Sequence, residues 1–315
     1  MNEKINLEKL GNVAQIADIK EIVHTDGLAS GLKELVCKNG RLRMNILAGR
    51  AFDIGELSFG GINLSYIGKN GFISPFTAYT EAFPYPRSFS GGFLMTCGLD
   101  NIGSPSASSP QHGKLSSTPA CITKKEVLIP DGSPVLRIAA ETVQAELFGE
   151  NLTVLREYEI RQNGFTLTDN ITNRGFKPAS VIFMYHFNMG YPFLDENTEL
   201  SVNAKSVEGH DQKAEKTKKN AAKFAPPKVD FTEECFYYSF AEPETHVSVF
   251  NPKLSLKASF SYANRNLPYL IEWKNPLSGE YVLGIEPSSS KLNDKSPTTL
   301  APGQTLSNSI TVCFE

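Results

Sequence analysis

The sequence lacks the features that mark membrane, secreted and nucleic-acid-binding proteins. None of its apolar runs approaches the ~20 residues of a membrane helix, and its first twenty residues are charged throughout, without the apolar segment of a signal peptide. The formal net charge is −3, and the lysines and arginines form no basic stripe. We therefore expect a cytoplasmic protein that has neither a membrane nor a nucleic acid as its partner.

The usual motifs of metal, redox and nucleophilic chemistry are also missing. The five cysteines are odd in number and widely spaced, without a C-x-x-C pair, which is typical of a reducing compartment. The five histidines show no H-x-H or H-x-x-x-H spacing, so we predict no metal. A G-x-S-x-G elbow is absent, and the glycines near Gly91 do not link a strand to a helix. The sequence thus predicts neither a serine hydrolase nor a bound cofactor.

Helical periodicity is rare, whereas apolar residues alternate with polar ones in many short segments. Tight-turn dipeptides separate these segments, as expected for antiparallel hairpins. The clearest are Asn39-Gly40, Asp131-Gly132 and Asn163-Gly164. We predict an all-β fold, a large antiparallel β-sandwich formed by residues 1–315 as one domain. A short amphipathic helix is expected within residues 2–20.

Two segments depart from the strand pattern. Residues 68–120 are rich in glycine, proline and serine, and we expect them to form packed loops around a cleft. The aromatic residues that favour order there are Phe76, Tyr79, Phe83, Tyr85 and Phe89. Residues 201–228 contain seven lysines, which indicates a solvated excursion more than a phosphate site.

Three residues could supply acid–base chemistry. His186 lies in the apolar segment 181–194, and alternation along a strand places it on the same face as Met184 and Asn188. His112 lies in a Gln-His-Gly loop, and Glu286 lies near the end of a late strand. Two imidazoles and a carboxylate are sufficient for general acid–base catalysis. In the alternative interpretation, His186 is a hydrogen-bonded core histidine and Glu286 is a surface residue, and neither takes part in catalysis.

In the order of its motifs, the sequence resembles the galactose mutarotase-like superfamily, in particular a branch related to the aldose 1-epimerases. It is also similar to the hexose-6-phosphate 1-epimerases of that superfamily. The latter carry R-G-G-I-P, H-G-F-A-R, a histidine in an H-N-Y-F-like strand, W-N-P and a strand ending in Glu-Pro. The corresponding segments here, in the same order, are residues 87–93 (RSFSGGF), 112–114 (HGK), 185–188 (YHFN), 273–276 (WKNP) and 284–287 (GIEP). Ser116 stands where that family has the arginine of H-G-F-A-R. The family's sugar-binding aspartate has no direct match, and Glu233 or Glu234 is the nearest candidate.

This resemblance implies a β-supersandwich and a cofactor-free enzyme that interconverts the anomers of a sugar. Glu286 would be the base, His186 the acid, and His112 a hydrogen-bonding partner of the ring oxygen or of a neighbouring hydroxyl. Further residues would hold the hydroxyls or an anionic substituent of a small-molecule sugar. They are Arg50, Arg87, Asp100, Lys114, Asn188 and Trp273, although Trp273 also suits a core and Arg50 a pair with Asp53.

Two other functions and two assembly states remain open from the sequence. A carbohydrate-binding or regulatory protein could keep this fold without turnover. A polysaccharide lyase or hydrolase is less favoured, because a hydrolase normally uses two carboxylates. The protein is expected to be a monomer or a homodimer, and the sequence does not name the sugar.

Overall fold

The computed structural model describes residues 5–77, 85–292 and 296–315. Tyr79 and Phe83, two of the aromatic residues expected to order the loops, lie outside these described residues. Within them, no helix has the length and apolar character that crossing a bilayer requires.

Antiparallel strands dominate the described residues, which confirms the predicted all-β class. The strands are β1 (Ala17–Val23), β2 (Lys33–Asn39), β3 (Leu42–Leu47), β4 (Asp53–Phe59), β5 (Ile62–Asn63), β6 (Leu94–Leu99), β7 (Ala120–Leu128), β8 (Val135–Ala145), β9 (Asn151–Arg161), β10 (Gly164–Asn173), β11 (Ala179–Met189), β12 (Glu199–Val202), β13 (Ser206–Gly209), β14 (Glu234–Ser239), β15 (Glu244–Asn251), β16 (Leu256–Ala263), β17 (Tyr269–Leu277), β18 (Glu280–Ser288), β19 (Thr298–Leu300) and β20 (Thr305–Phe314). The helices are α1 (Tyr85–Ser88), α2 (Gln212–Thr217) and single 3-10 turns at Leu7–Lys9, Val13–Gln15, Gly27–Ala29, Pro75–Thr77, Leu115–Ser117, Pro130–Gly132 and Lys218–Asn220.

The strands form three sheets. Strands β1 to β5 form a sheet in chain order, and an eight-stranded sheet has the order β12-β15-β16-β20-β10-β9-β8-β7. A seven-stranded sheet has the order β13-β14-β17-β18-β11-β19, with β6 paired to β11. Side chains of all three sheets meet in one hydrophobic core.

The turn dipeptides correctly located the hairpins, but the N-terminal helix prediction is wrong. Asn39 ends β2, Asp131 lies between β7 and β8, and Gly164 begins β10. The predicted helix over residues 2–20 is replaced in the described part by two 3-10 turns and β1. Side chains of Asn6 and Asn12 cap these turns, and β1 gains more from its ladder with β2 than an isolated short helix would from propensity.

The lysine-rich segment 201–228 is more ordered than the predicted excursion. It contains the end of β12, all of β13 and α2, and the side chain of Asp211 caps α2 by accepting a hydrogen bond from the Ala214 amide. Lys218 pairs with Glu215 on the exposed surface of this segment. Short elements therefore form where composition alone suggested a mobile loop.

Strand β11 has a different environment on each face. Tyr185, Phe187 and Met189 point into the main core. Met184 belongs to a second cluster on the opposite face of the seven-stranded sheet, together with Tyr237 and other residues. The predicted alternation is therefore correct, and it places His186 on the face opposite the main core.

A buried ionic network joins the three sheets. Arg156 on β9 donates to both carboxylate oxygens of Asp169 on β10, at 2.8 and 2.7 Å, and it also bonds to Asp53 on β4. Thr96 on β6 donates to Asp53 through its amide at 2.8 Å and its hydroxyl at 2.6 Å. The hydroxyl of Tyr185 on β11 donates to Asp169 at 2.9 Å. One arginine thus fixes the relative positions of strands from every sheet.

Removing the cation from this network should destabilise the protein strongly. Arg156 is 1% exposed, so Arg156→Met leaves Asp53 and Asp169 buried and without their counter-ion. We expect the free energy of unfolding to fall by about 3–5 kcal/mol, measured by urea denaturation at neutral pH.

Arg137→Met is the matched control. Arg137 also pairs with a carboxylate, that of Glu159, but its side chain is 49% exposed. Its loss should cost about 1 kcal/mol or less. Equal effects of the two variants would show that the buried network does not hold the sheets together.

Candidate active site

The strand register brings His186 and Glu286 together. Strands β11 and β18 are neighbours, and Phe187 is paired with Ile285, so the adjacent residues His186 and Glu286 also stand opposite each other. Directly opposed residues project from the same face of a sheet. The Nε2 atom of His186 lies 3.1 Å from Oε1 of Glu286, and the residues are 4% and 2% exposed.

The same cross-strand row continues over β17 and β14. Ile271 stands opposite Glu286, and Tyr237 stands opposite Ile271. The hydroxyl of Tyr237 is 2.5 Å from Nδ1 of His210. Residue spacing in the sequence indicates neither Tyr237 nor His210 as a site residue. Only the strand register, which residue spacing does not specify, shows that Tyr237 lies in the row of Glu286.

Gly284 provides room for the carboxylate. A Cβ atom at this position would lie 2.6 Å from Oε1 of Glu286 and 3.0 Å from Cβ of Trp273. Both residues face the same side of the sheet as Gly284. Glu286 is two positions further along β18, and Trp273 is the cross-strand neighbour of Gly284. A larger residue here would displace the carboxylate from His186.

Aromatic rings surround the pair. The ring of His186 lies 5.8 Å from that of His112, 6.2 Å from Phe89 and 5.4 Å from Trp273, measured between ring centroids. Tyr85 of α1 packs against His112 at 5.1 Å. Of the loop aromatics predicted to be ordered, Tyr85 and Phe89 pack beside the two histidines, whereas Phe76 is 80% exposed.

Burial shifts the acid–base equilibria of the two paired groups in opposite directions. It lowers the pKa of His186 to about 3, with a smaller contribution from His112. It also raises the pKa of Glu286 well above the usual range, and nearby Glu233 raises that pKa further. The expected pair of an ionised Glu286 and a protonated His186 is therefore not favoured, because burial disfavours both charges. Burial thus favours the neutral form of each group.

Two polar atoms of the pair lack partners among the described residues. Neither Nδ1 of His186 nor Oε1 of Glu286 accepts or donates a hydrogen bond of good geometry there. Most buried polar atoms in proteins are hydrogen-bonded, and leaving one unsatisfied costs about 1–3 kcal/mol. These atoms could instead bond to hydroxyl groups of a ligand.

His112 is held in a defined tautomer. Its Nδ1 lies 2.8 Å from the carbonyl oxygen of Ile102, which can only accept, so Nδ1 carries the proton and Nε2 carries a lone pair. Burial lowers the pKa of His112 to about 4. At neutral pH, Nε2 can therefore accept a hydrogen bond from a hydroxyl but cannot donate one to a ring oxygen.

Asp100 and Lys114, both predicted to bind substrate, organise the loop of His112. The carboxylate of Asp100 accepts from the hydroxyl of Ser109 at 2.6 Å and from the amide of Lys114 at 3.1 Å. The ammonium group of Lys114 lies 3.7 Å from the same carboxylate. These contacts support a structural role for the two residues more than the predicted one.

Arg50 connects several loops and is 4% exposed. Its guanidinium group donates to Ser116 O, Ile73 O, Ser88 O and Ser90 Oγ. The alternative pairing of Arg50 with Asp53 does not form, because Asp53 bonds to Arg156 instead. The contacts of Arg50 do not support its predicted role as a substrate ligand.

Of the three other predicted ligands, Asn188 and Trp273 lie near the pair. Asn188 donates through Nδ2 to the carbonyl oxygens of Gly92 and His186, at 3.0 Å each. The ring of Trp273 packs against that of His186, with 5.4 Å between the ring centroids. Arg87 is exposed and belongs to α1.

The structure distinguishes the two glutamates proposed to replace the missing aspartate. Glu233 accepts a hydrogen bond of 2.7 Å from Nε1 of Trp273, which faces the same side of the sheet as Glu286. Glu234 is 7% exposed and bonds to Thr217, close to Lys274. Only Glu233 is placed to contact a ligand beside Trp273.

In the described ranges, no group of three histidine, cysteine, aspartate or glutamate residues is arranged to hold a metal ion. The pair can transfer protons, and the aromatic rings around it can pack against an apolar face of a ligand.

Nuclear magnetic resonance should detect neutral imidazoles at this site. We expect the ring signals of His112 and His186 to titrate with pKa values of about 4 and about 3, well below the ~6.5 of an unperturbed histidine. The variants His112→Asn and His186→Asn assign the two signals. A titration of either ring above pH 6 would contradict the pKa shifts attributed to burial.

Comparison with known proteins relates the chain to one domain family and one fold. A family model described as a domain of unknown function (DUF4432) matches residues 29–303. A search of the curated proteins finds no match.

Several solved structures share the fold. A candidate aldose 1-epimerase from Klebsiella pneumoniae is 23% identical, with a TM-score of 0.86 over 99% of this chain and 87% of that chain. A galactose mutarotase-like protein from Clostridium acetobutylicum is 15% identical, with a TM-score of 0.68 over 96% and 99% of the respective chains. A candidate mutarotase from Salmonella typhimurium is 10% identical, with a TM-score of 0.63 over 97% and 95%. The predicted mutarotase-like fold is confirmed, but the similarity to hexose-6-phosphate 1-epimerases is not.

Proposed function

Because the chain belongs to the DUF4432 family and has the fold of galactose mutarotase-like proteins, we propose that it is an aldose 1-epimerase. In this proposal it interconverts the two anomers of a sugar by opening the ring to the aldehyde and closing it on the other face. The reaction requires only proton transfers, and no metal or cofactor is invoked.

The observation that carries the proposal is the buried pair of His186 and Glu286. The two groups lie 3.1 Å apart, and each retains a polar atom without a partner among the described residues. Ring opening needs one group to remove the proton of the C1 hydroxyl and another to protonate the ring oxygen. An acid and a base placed side by side meet this requirement.

The pKa shifts support an assignment of roles opposite to the one expected from the sequence. With the proton on Glu286, its carboxyl protonates the ring oxygen while neutral His186 takes the proton of the C1 hydroxyl. The C1–O5 bond breaks, and rotation about C1–C2 exposes the other face of the aldehyde. Ring closure then uses the groups in reverse and returns the proton to Glu286. Burial strengthens both steps, because water does not compete for the proton.

His112 and Glu233 are proposed to orient the sugar. The Nε2 lone pair of His112 accepts a hydrogen bond from a hydroxyl, since its Nδ1 proton is held by Ile102. The carboxylate of Glu233 accepts from further hydroxyls beside Trp273, whose ring packs against the apolar face of the sugar. Because His186 and Glu286 are almost fully buried, a neighbouring side chain must move before a sugar can reach them.

Loss of either member of the pair should remove the enzymatic acceleration. We expect His186→Asn and Glu286→Gln each to lower kcat by about 10²–10⁴-fold, because each transferring group contributes that much. Polarimetry of freshly dissolved aldoses measures the rate, and wild-type activity should survive exhaustive chelation. Sugar affinity should change only a few-fold, since both replacements retain polar atoms.

His246→Asn is the control for the first variant, because His246 is exposed and distant in sequence from both residues. Near-normal kcat in either pair variant would contradict the proposed roles. If the wild-type protein accelerates no sugar but binds one, the alternative of a non-catalytic carbohydrate-binding protein is correct.

The substrate is expected to be a neutral aldose. Of the three cations predicted to bind an anionic substituent, Arg50 bonds to loop atoms and Lys114 lies next to Asp100, which leaves Arg87 at the surface. Arg87→Ala should therefore change kcat/KM for a neutral aldose by less than about threefold, whereas losing a contact to phosphate would cost about tenfold or more.

The measurement compares kcat/KM for glucose and galactose with kcat/KM for their 6-phosphates, in the wild-type protein and in Arg87→Ala. A preference for the phosphates that Arg87→Ala abolishes would show that the substrate is anionic. This result would leave the proposed epimerase chemistry in place and correct only the substrate class.

A further inference from the structure

One end of the molecule carries apolar side chains that the proposed catalytic site does not use. The β8–β9 turn, residues 146–150, and the β10–β11 turn, residues 174–178, lie side by side there. Phe148 is 98% exposed, Phe176 is 99% exposed and Leu147 is 81% exposed. We call these two turns the turn patch. Phe148 and Phe176 line the same hollow, and large apolar side chains exposed together usually mark an interaction site.

The turn patch is held in a fixed shape by backbone hydrogen bonds. The amide of Arg174 donates to the carbonyl of Asn151 at 2.8 Å, which joins the two turns. The amide of Glu146 donates to the backbone carbonyl of Glu150 at 3.0 Å, and the amide of Gly149 donates to the backbone carbonyl of Glu146 at 2.9 Å. Phe148 has a φ angle of 65°, a conformation that bulky residues rarely adopt. Glycine or asparagine would suit this turn position better than phenylalanine. The presence of phenylalanine here indicates that its side chain contacts a binding partner.

A hollow adjoins these protruding rings. It has a volume of about 800 Å³ and is lined by both turns. The hollow also contacts Leu99, Leu152 and Ile182, which are buried residues of the surrounding strands. The same surface therefore presents protruding phenyl rings and an apolar recess beside them.

We propose that the turn patch is the interface of a homodimer. A two-fold axis brings identical surfaces together, so a surface that combines a protrusion with a recess can fit a second copy of itself. A phenyl ring of each copy would enter the hollow of the other. The two rings alone cover roughly 300–400 Å² per copy, about half of the ~800 Å² per partner found in stable interfaces.

The charges of the turn patch favour the same partner. The β8–β9 turn carries Glu146 and Glu150, whereas the β10–β11 turn carries Arg174 and Lys177. None of these four takes part in an ion pair within the described part of the chain. A two-fold axis between the turns places the acidic turn of one copy opposite the basic turn of the other.

Analytical ultracentrifugation of the full chain tests the proposal at concentrations from about 1 to about 100 μM. The wild-type protein should sediment as a dimer, and the double variant Phe148→Ser/Phe176→Ser as a monomer. Phe76→Ser is the matched control, because Phe76 is also largely exposed but lies outside the turn patch. It should remain dimeric.

A charge exchange provides an independent test that does not remove apolar surface. Glu150→Lys should weaken the dimer by about tenfold or more, and the addition of Arg174→Glu should restore it. A monomeric wild-type protein at the highest concentration would overturn the proposal, as would a dimer that persists in the double phenylalanine variant. Binding of the turn patch to lipid vesicles without self-association would also overturn it.

Discussion

The contact of Arg156 with Asp53 and Asp169 is the constraint on which the arrangement of the sheets depends. Charges in an apolar core are tolerated only when they are paired and hydrogen-bonded, so these strands can pack in one relative position. Tyr185 extends the network to β11 through its hydroxyl group. Because His186 follows Tyr185 in the strand, the network that anchors one face of β11 also positions the imidazole on the other face.

The Arg156 network and the His186–Glu286 pair differ in how completely their buried polar atoms are hydrogen-bonded. In the Arg156 network, the carboxylates accept several hydrogen bonds and face a cation. His186 and Glu286 are just as buried, but each has an atom without a partner in the described ranges. Full satisfaction rigidifies a core, whereas incomplete satisfaction leaves atoms that a substrate can bind. This contrast separates the structural network from the proposed catalytic pair.

Low polarity around the pair also determines its chemistry. The rings of Phe89 and Trp273 pack beside His186, and burial favours the neutral forms of His186 and Glu286. A neutral pair with one transferable proton can act in either direction, as an epimerase requires when it opens a ring and then closes it. Arg50 and Asp100 maintain this environment indirectly by holding the loops that carry the aromatic rings and His112.

The sequence by itself determined the class of the fold and the candidates for proton transfer. Turn dipeptides such as Asn39-Gly40 act locally, so they located hairpins correctly, and strand alternation placed His186 on the face opposite Tyr185. Only the tertiary structure decided that His186 stands opposite Glu286, because the register between distant strands depends on the packing of whole sheets. It also decided the charge of the pair, since burial is a property of the surroundings and not of the residue. For the same reason, the sequence could not distinguish Arg50 and Asp100, which bond to neighbouring loops, from residues free to bind a sugar.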